Sequence, residues 1–182
     1  GSTVAVIGCG GVGLSAVQGA AIAVAGRIIA IDTRASKLEL AQICGATDLV
    51  NASAGDPVQQ VKDLTGGGVE YSFEAIGLKQ TAEQAFSMLA KGGTATVIGM
   101  IPVGTKIELH GPDFLQEKKI QGSSMGSNRF RVDMPRYVDM YLNGKLKLDE
   151  MITREITLEQ INEAFTALLG GEVARQVIRF AQ

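Results

Sequence analysis

Three glycines near the start of the chain have a spacing that suits phosphate binding. Gly8, Gly10 and Gly13 form a G-x-G-x-x-G pattern, after the apolar residues 4–7 and before the alanine-rich residues 14–25. Strand, turn and helix in this order aim free N–H groups and the helix dipole at an anion. Gly8 allows the tight turn, Gly10 allows close approach of phosphate, and Gly13 allows close packing of helix on strand. The pattern predicts a site for a dinucleotide pyrophosphate.

A carboxylate follows the next predicted strand. Residues 27–31 are mostly apolar and end at Asp32, about 20 residues beyond the glycines. A carboxylate there can accept hydrogen bonds from both adenosine ribose hydroxyls, and it repels the 2′-phosphate of NADP. NAD is therefore the predicted cofactor, although Arg34 could contact a phosphate. The competing interpretation is a plain glycine turn beside an exposed aspartate, which this context disfavours.

The elements that would position these groups alternate between strand and helix. Further strands are predicted at 48–51, 69–74 and 94–98, and helices at 36–44, 57–65 and 81–89, the last closed by the glycines at 92 and 93. This order predicts an α/β fold, a Rossmann-type doubly wound parallel sheet with helices on both faces. Ligands of such sheets bind beyond the carboxyl ends of the strands. Those ends carry Gly8, Asp32, Ala75, Ile76 and Gly99.

The pattern changes after the predicted sheet. Short strands are predicted at 106–109 and 120–122, a helical turn at 112–117, helices at 135–143 and 161–168, and a final strand at 177–180. We therefore divide the chain into a dinucleotide-binding domain, 1–125, and a C-terminal segment with a helical tail and final strand, 126–182.

Composition narrows the classes of function. The net charge of −2 offers no electrostatic case for nucleic acid or an anionic membrane. One histidine and two cysteines provide neither a disulfide framework nor a zinc site with the usual spacing, so no metal is expected in this chain. No apolar run reaches the length of a membrane span, and no secretory signal is recognised. A cytoplasmic location is the expectation.

Several segments together resemble a known family. In chain order they are 8–13, the strand end at Asp32, 45–47, 73–77 and 161–165. They resemble the C-terminal, NAD-binding half of the medium-chain, zinc-dependent alcohol dehydrogenases, and the resemblance covers almost the whole chain. Residues 125–130 further resemble a bacterial subgroup that includes enzymes with tightly bound NAD.

The resemblance implies a set of cofactor-binding residues and no catalytic residue. It places Gly10–Gly13 and Arg175 at the pyrophosphate, Asp32 and Lys37 at the adenosine ribose, and the other members around the adenine, the ribose or the nicotinamide. Several of these residues could instead have ordinary roles that do not involve the cofactor, as loop residues, surface charges on helices or core residues. The set is Gly8, Gly10, Gly11, Val12, Gly13, Asp32, Thr33, Arg34, Lys37, Ala75, Ile76, Ile98, Gly99, Met100, Ser123, Ser124, Met125 and Arg175.

The resemblance also implies an activity for the parent protein. In the family, hydride moves from a small alcohol to NAD, giving an aldehyde or ketone, and the zinc ligands belong to an N-terminal domain that has no match here. This chain alone is therefore expected to be inactive. The resemblance also implies a homodimer through residues 107–109. Alternatives are a non-catalytic NAD-sensing module, which would not need residues 133–182, and an NADPH-dependent, zinc-free quinone reductase relative, which Asp32 disfavours.

Overall fold

A parallel sheet forms the centre of the computed structural model, which describes residues 1–171 and 173–180. Its order is β3-β2-β1-β4-β5-β6, so the chain reverses its direction of travel across the sheet next to the first strand. That reversal is where such sheets open a ligand crevice. The strands are β1 (Thr3–Ile7), β2 (Arg27–Asp32), β3 (Asp48–Asn51), β4 (Val69–Glu74), β5 (Leu89–Val97) and β6 (Lys119–Gly122).

Four helices cover the two faces of this sheet. They are α1 (Gly11–Ile22), α2 (Ala35–Ile43), α3 (Pro57–Thr65) and α4 (Lys79–Ser87). α1 and α2 pack on one face, where their apolar residues join Val6 and Ala30 in one core cluster. α3 and α4 pack on the other face around Ile29 and Ile31. Because both faces are covered, the central strands are apolar on both sides, and the predicted doubly wound α/β fold is confirmed.

The C-terminal part of the chain returns to the face that carries α1. It contains α5 (Phe130–Leu142), β7 (Arg154–Ile156), α6 (Ile161–Leu169) and β8 (Gln176–Ile178), and β7 and β8 form a separate parallel pair. The Gln18 side chain on α1 donates to the Lys147 carbonyl over 2.9 Å and accepts from the Lys147 N–H over 2.6 Å. Met151 is fully buried in the same core cluster.

The predicted strand at 106–109 is wrong. No strand forms there, because the segment finds no ladder partner in the described part of the chain. The Glu108 N–H instead donates to the carboxylate of Glu83 on α4 over 2.7 Å, and Lys79 lies 3.3 Å from the Glu108 carboxylate. The segment is therefore held by side chains of the neighbouring helix.

Two predicted helix boundaries also need correction. α5 begins at Phe130 rather than at Pro135, and the carboxylate of Asp133 in its first turns accepts from the N–H of Arg129, the residue before the helix, over 2.8 Å. α4 ends at Ser87, and Leu89 already belongs to β5. The glycines at 92 and 93 thus lie inside a strand, at an irregularity of register where Gly92 has φ +76°.

Other boundaries differ in smaller ways. α1 begins at Gly11, within the glycine pattern, and β7 was not predicted at all. The final strand is Gln176–Ile178, and residues 172, 181 and 182 of the predicted segment 126–182 lie outside the described residues. In the described ranges, no helix combines the length and the apolar character needed to cross a membrane.

Candidate functional site

The glycine turn joins β1 to α1 at the carboxyl edge of the sheet. Gly10 is the residue before the helix, in an extended conformation, and its carbonyl accepts the Leu14 N–H over 2.8 Å. The N–H groups of Gly11, Val12 and Gly13 therefore precede the hydrogen-bond ladder of α1. These donors and the positive end of the helix dipole suit an anion, as the sequence predicted.

The three glycines of the pattern have different surroundings. A Cβ atom placed on Gly13 would lie 1.6 Å from the Gly8 carbonyl oxygen, so only glycine lets α1 approach the turn. Gly8 has φ +93°, and a Cβ there would lie 2.5 Å from Ile76 Cγ1. At Gly10 nothing lies within 4 Å of the same position. Gly13 and Gly8 therefore serve packing, whereas Gly10 faces open space.

Asp32 links the end of β2 to the glycine turn. Its Oδ2 accepts the Cys9 N–H over 2.8 Å, and its Oδ1 accepts the Arg34 N–H over 3.1 Å. The side chain is almost buried, with 9 % of the residue exposed. Because each carboxylate oxygen can accept a second hydrogen bond, Asp32 keeps acceptor capacity toward the crevice.

A crevice of about 760 Å³ opens beyond the strand ends. Seven residues of the predicted set line it, namely Gly8, Gly10, Asp32, Thr33, Lys37, Ala75 and Ile76. The facing wall comes from the loop at 52–57 and from the first turns of α4, including Asp56, Gln80 and Gln84, none of which was predicted. That wall was missed because its residue types are ordinary loop and helix residues with no diagnostic spacing.

Three further members of the set lie on the other side of the glycine turn. Val12, Ile98 and Ser123 line an apolar groove of about 710 Å³ beside α1. Gly99 and Met100 pack on the neighbouring turn, where a Cβ on Gly77 would lie 2.6 Å from the Met100 carbonyl oxygen. The Met100 and Met125 side chains and Ser124 are exposed and line neither cavity.

The two cations near Asp32 contact the C-terminal end of α6. Arg34 donates a hydrogen bond to the Gly170 carbonyl. A Cβ placed on Gly171 would lie 3.5 Å from both Arg34 Nε and Lys37 Nζ. Lys37 also lines the crevice, whereas Arg34 does not. Arg34 thus contacts a helix C-terminus, which is a favourable place for a cation.

Arg175 reaches the glycine turn from the far end of the chain. A Cβ placed on Gly11 would lie 3.9 Å from Arg175 Nη2 and 3.3 Å from the Ala174 carbonyl oxygen. Its guanidinium therefore lies beside the first N–H groups of α1. In 1–171 and 173–180, no carboxylate forms an ion pair with it. The site thus adds a cation to the backbone donors.

Glu74 is a buried carboxylate that the sequence analysis did not include in the site. It ends β4, and its Oε1 accepts from the N–H groups of Ile76 and Gly77 and from the Thr81 hydroxyl, each over 2.8 Å. These bonds fix the turn that supplies Ala75 and Ile76 to the crevice. Oε2 is fully buried and has no hydrogen-bond partner among the described residues, and a Cβ added to Gly99 would lie 2.6 Å from it. A carboxylate at the end of a buried strand was the available signal, as for Asp32.

Both cysteines are buried. Cys9 lies in the glycine turn with a fully buried side chain, and burial, together with the Asp32 carboxylate, raises the pKa of its thiol to about 12. Burial also raises the pKa of Cys44. Across the residues that the structure describes, no group of three His, Cys, Asp or Glu could hold a metal ion. The arrangement suits the binding and orientation of a ligand.

Known proteins share this architecture. The profile of the family described as zinc-binding dehydrogenase matches residues 11–143. A probable S-(hydroxymethyl)glutathione dehydrogenase 1 of Schizosaccharomyces pombe is 42% identical over 180 residues, covering 98% of this chain and 48% of its relative. The chain thus spans about half the length of the curated relatives it matches.

Solved structures agree with this match. An alcohol dehydrogenase zinc-binding domain protein from Burkholderia ambifaria superposes with a TM-score of 0.95 at 35% identity, covering 100% of this chain and 49% of that one. A benzyl alcohol dehydrogenase from Acinetobacter calcoaceticus also gives 0.95, at 32% identity, covering 99% and 50%. The chain therefore belongs to the zinc-dependent alcohol dehydrogenase family and matches its C-terminal, cofactor-binding half.

Proposed function

We propose that this chain binds NAD and holds it for hydride transfer in an alcohol dehydrogenase. One observation carries the proposal: the Asp32 carboxylate is fixed against the glycine turn through the Cys9 N–H, at the wall of a crevice that Gly10 leaves open. The glycine turn that would bind phosphate and the carboxylate that would bind ribose thus lie together at the carboxyl edge of the sheet. This pairing distinguishes a dinucleotide site from a simple anion site.

Each part of the chain has a defined role in this proposal. The N–H groups at the start of α1 and the Arg175 guanidinium bind the pyrophosphate. Asp32 accepts the ribose hydroxyls, with Lys37 beside it, and Thr33 borders the adenine. Ala75 and Ile76 form the wall that the Glu74 carboxylate holds in place. The bound NAD supplies the hydride acceptor, and the residues of the chain bind and orient it.

The groups on the groove side of the glycine turn serve the nicotinamide half in this proposal. Val12 packs behind the ring, and Ile98–Met100 and Ser123–Met125 offer backbone groups to it. Val12, Ile98 and Ser123 already lie together along one groove, which supports this assignment.

The activity of the whole protein is proposed from its relatives. The relatives include S-(hydroxymethyl)glutathione, benzyl alcohol and other alcohol dehydrogenases. We propose that the parent oxidises an alcohol to an aldehyde or ketone, with zinc held outside this chain, because residues 1–171 and 173–180 contain no group of three His, Cys, Asp or Glu that could hold a metal ion. On this view residues 126–182 connect the NAD-binding domain, 1–125, to the catalytic domain. A cytoplasmic location and a homodimer through 107–109 remain part of the proposal.

The two alternative functions have less support. A sensing module would need only the sheet and its helices, whereas β7, α6 and β8 extend the chain beyond them, and the relatives are dehydrogenases. An NADPH-dependent quinone reductase relative would have to bind the 2′-phosphate beside the Asp32 carboxylate, which repels it.

Calorimetric titration with NAD and NADP tests the proposal. The unmodified chain should bind NAD at least about tenfold more tightly than NADP, which corresponds to about 1.4 kcal/mol. Asp32→Asn, which retains one side-chain acceptor, should weaken NAD binding about tenfold to a hundredfold and narrow the gap between the cofactors. Asp63→Ala, at an exposed aspartate on α3, is the matched control and should leave both affinities unchanged. Equal or tighter binding of NADP by the unmodified chain would refute the assignment.

A further inference from the structure

The Ala174–Arg175 segment is seated on the glycine turn at a defined point. The Ala174 carbonyl oxygen is so close to Gly11 that a Cβ there would lie 3.3 Å away, a tight contact. Gly11 therefore allows the two backbones to approach. The same approach places Arg175 Nη2 next to the start of α1. The position of the guanidinium thus depends on what holds the backbone at 174 and 175.

One side chain, Thr153, makes most of the bonds to this segment. Its Oγ1 accepts the Ala174 N–H over 2.9 Å and the Arg175 N–H over 3.0 Å, and donates to the Arg175 carbonyl over 3.1 Å. The Thr153 N–H also donates to the Arg175 carbonyl, over 2.8 Å. A hydroxyl has one proton and two lone pairs, so all its hydrogen-bonding capacity is used on these two residues.

The location of Thr153 separates this role from core packing. The residue is exposed and precedes β7, whose ladder with β8 begins immediately afterwards with Arg154 opposite Gln176. Removing the hydroxyl would therefore leave the β7–β8 ladder and the two core clusters in place. It would remove the three bonds of the hydroxyl to Ala174 and Arg175, and leave the Thr153 N–H bond to the Arg175 carbonyl and the packing of Ala174 on the core.

We propose that Thr153 is a positioning residue that holds Arg175 at the glycine turn before the dinucleotide binds. The inference rests on the proposed function, because it assigns Arg175 to the pyrophosphate. A cation already held in place loses less conformational entropy on binding than one on a loose segment. Thr153 thus acts on affinity through Arg175, without contacting the ligand.

Calorimetry with NAD on the full 182-residue chain tests this role. Thr153→Val removes the hydroxyl and retains the branched shape, and should weaken NAD binding about three- to tenfold. Thr153→Ser restores the hydroxyl and should bind within about twofold of the unmodified chain. Thr166→Val is the matched control, since that exposed threonine on α6 donates only to the Asn162 carbonyl of its own helix, and NAD affinity should not change.

A double-mutant cycle separates positioning from a general effect on the fold. In the Arg175→Gln background, Thr153→Val should cause less than about a twofold further loss, because the group that it positions is absent. Thr153→Ala removes the same hydroxyl and should be similarly non-additive with Arg175→Gln. It replaces Thr153→Val in the cycle if that variant does not fold.

The outcomes are distinct. Unchanged NAD affinity in Thr153→Val, or losses that multiply in the double variant, would overturn the positioning role and leave the proposed function intact. Failure of the unmodified chain to bind NAD would overturn the proposed function, and the inference with it.

Discussion

A side chain added at Gly10 should weaken ligand binding, whereas one added at Gly13, in the same motif, should destabilise the fold. Gly10 faces open space at the crevice, with nothing within 4 Å of an added Cβ, and its φ of −81° suits any residue. Gly13 is packed, since an added Cβ would lie 1.6 Å from the Gly8 carbonyl oxygen. We therefore expect Gly10→Val to weaken NAD binding strongly and leave the fold intact, and Gly13→Ala to destabilise the fold itself.

The magnitudes follow from these distances. A normal carbon–oxygen separation is about 3.3 Å, so Gly13→Ala must move α1 or the turn by roughly half that distance. Overpacking of this kind costs about 3 kcal/mol or more, which lowers the melting temperature of a chain of this size by about 6–12 °C. Gly10→Val should change the free energy of unfolding by less than about 1 kcal/mol. The valine side chain would fill the space that the pyrophosphate is proposed to occupy. A steric cost of about 3 kcal/mol in the binding free energy lowers NAD affinity about a hundredfold.

Thermal unfolding without ligand and calorimetric titration with NAD measure the two effects separately. The reasoning would be refuted if Gly10→Val kept near-normal NAD affinity, because the phosphate would then lie elsewhere. It would equally be refuted if Gly13→Ala melted within about 2 °C of the unmodified chain, because the packing contact would then be easily relieved.

Two further predictions concern other parts of the chain. Light scattering should show that the unmodified chain is a dimer, and a monomer would contradict this prediction. Ile107→Pro should shift the chain toward monomer, because it removes a backbone N–H donor for pairing between copies. The variant keeps the bond between the Glu108 N–H and Glu83. The pKa of the Cys9 thiol is raised from an ordinary 9.0 to about 12, so at pH 8 about one thiol in ten thousand is ionised instead of about one in ten. Because the thiolate is the reactive form, iodoacetamide should alkylate Cys9 far more slowly in the native chain than in urea. Peptide mass spectrometry would follow the alkylation of Cys9, and equal rates in the native and the denatured chain would count against a buried thiol.

The parts of the fold that local chemistry imposes could be predicted from the sequence. The doubly wound sheet follows from the alternation of apolar strands and helices, and the glycine turn follows from residue types that only one local geometry requires. Gly13 must be glycine because α1 touches Gly8, and Asp32 ends a buried strand beside it. The family assignment followed from the same segments and is confirmed by the relatives. The individual site residues stay predictions.

The features that depend on distant partners could not be predicted. Residues 106–109 have an alternating pattern, but a strand needs a ladder, and the Glu108 N–H is taken by Glu83. Pro135 resembles a helix start, yet α5 begins earlier, at Phe130, where the Asp133 carboxylate accepts from the Arg129 N–H. The bonds of Thr153 to the Ala174–Arg175 segment join residues with no shared local pattern. Glu74 was missed as a site residue because its role is to hold backbone N–H groups of a turn.

A crystal structure of this chain grown with NAD tests the central claim most directly. The account predicts electron density for the pyrophosphate within hydrogen-bond distance of the N–H groups at the start of α1, beside Arg175, with both adenosine ribose hydroxyls on the Asp32 carboxylate. The result that would contradict it is a well-ordered NAD bound elsewhere on the chain, with the glycine turn and Asp32 in contact with solvent alone.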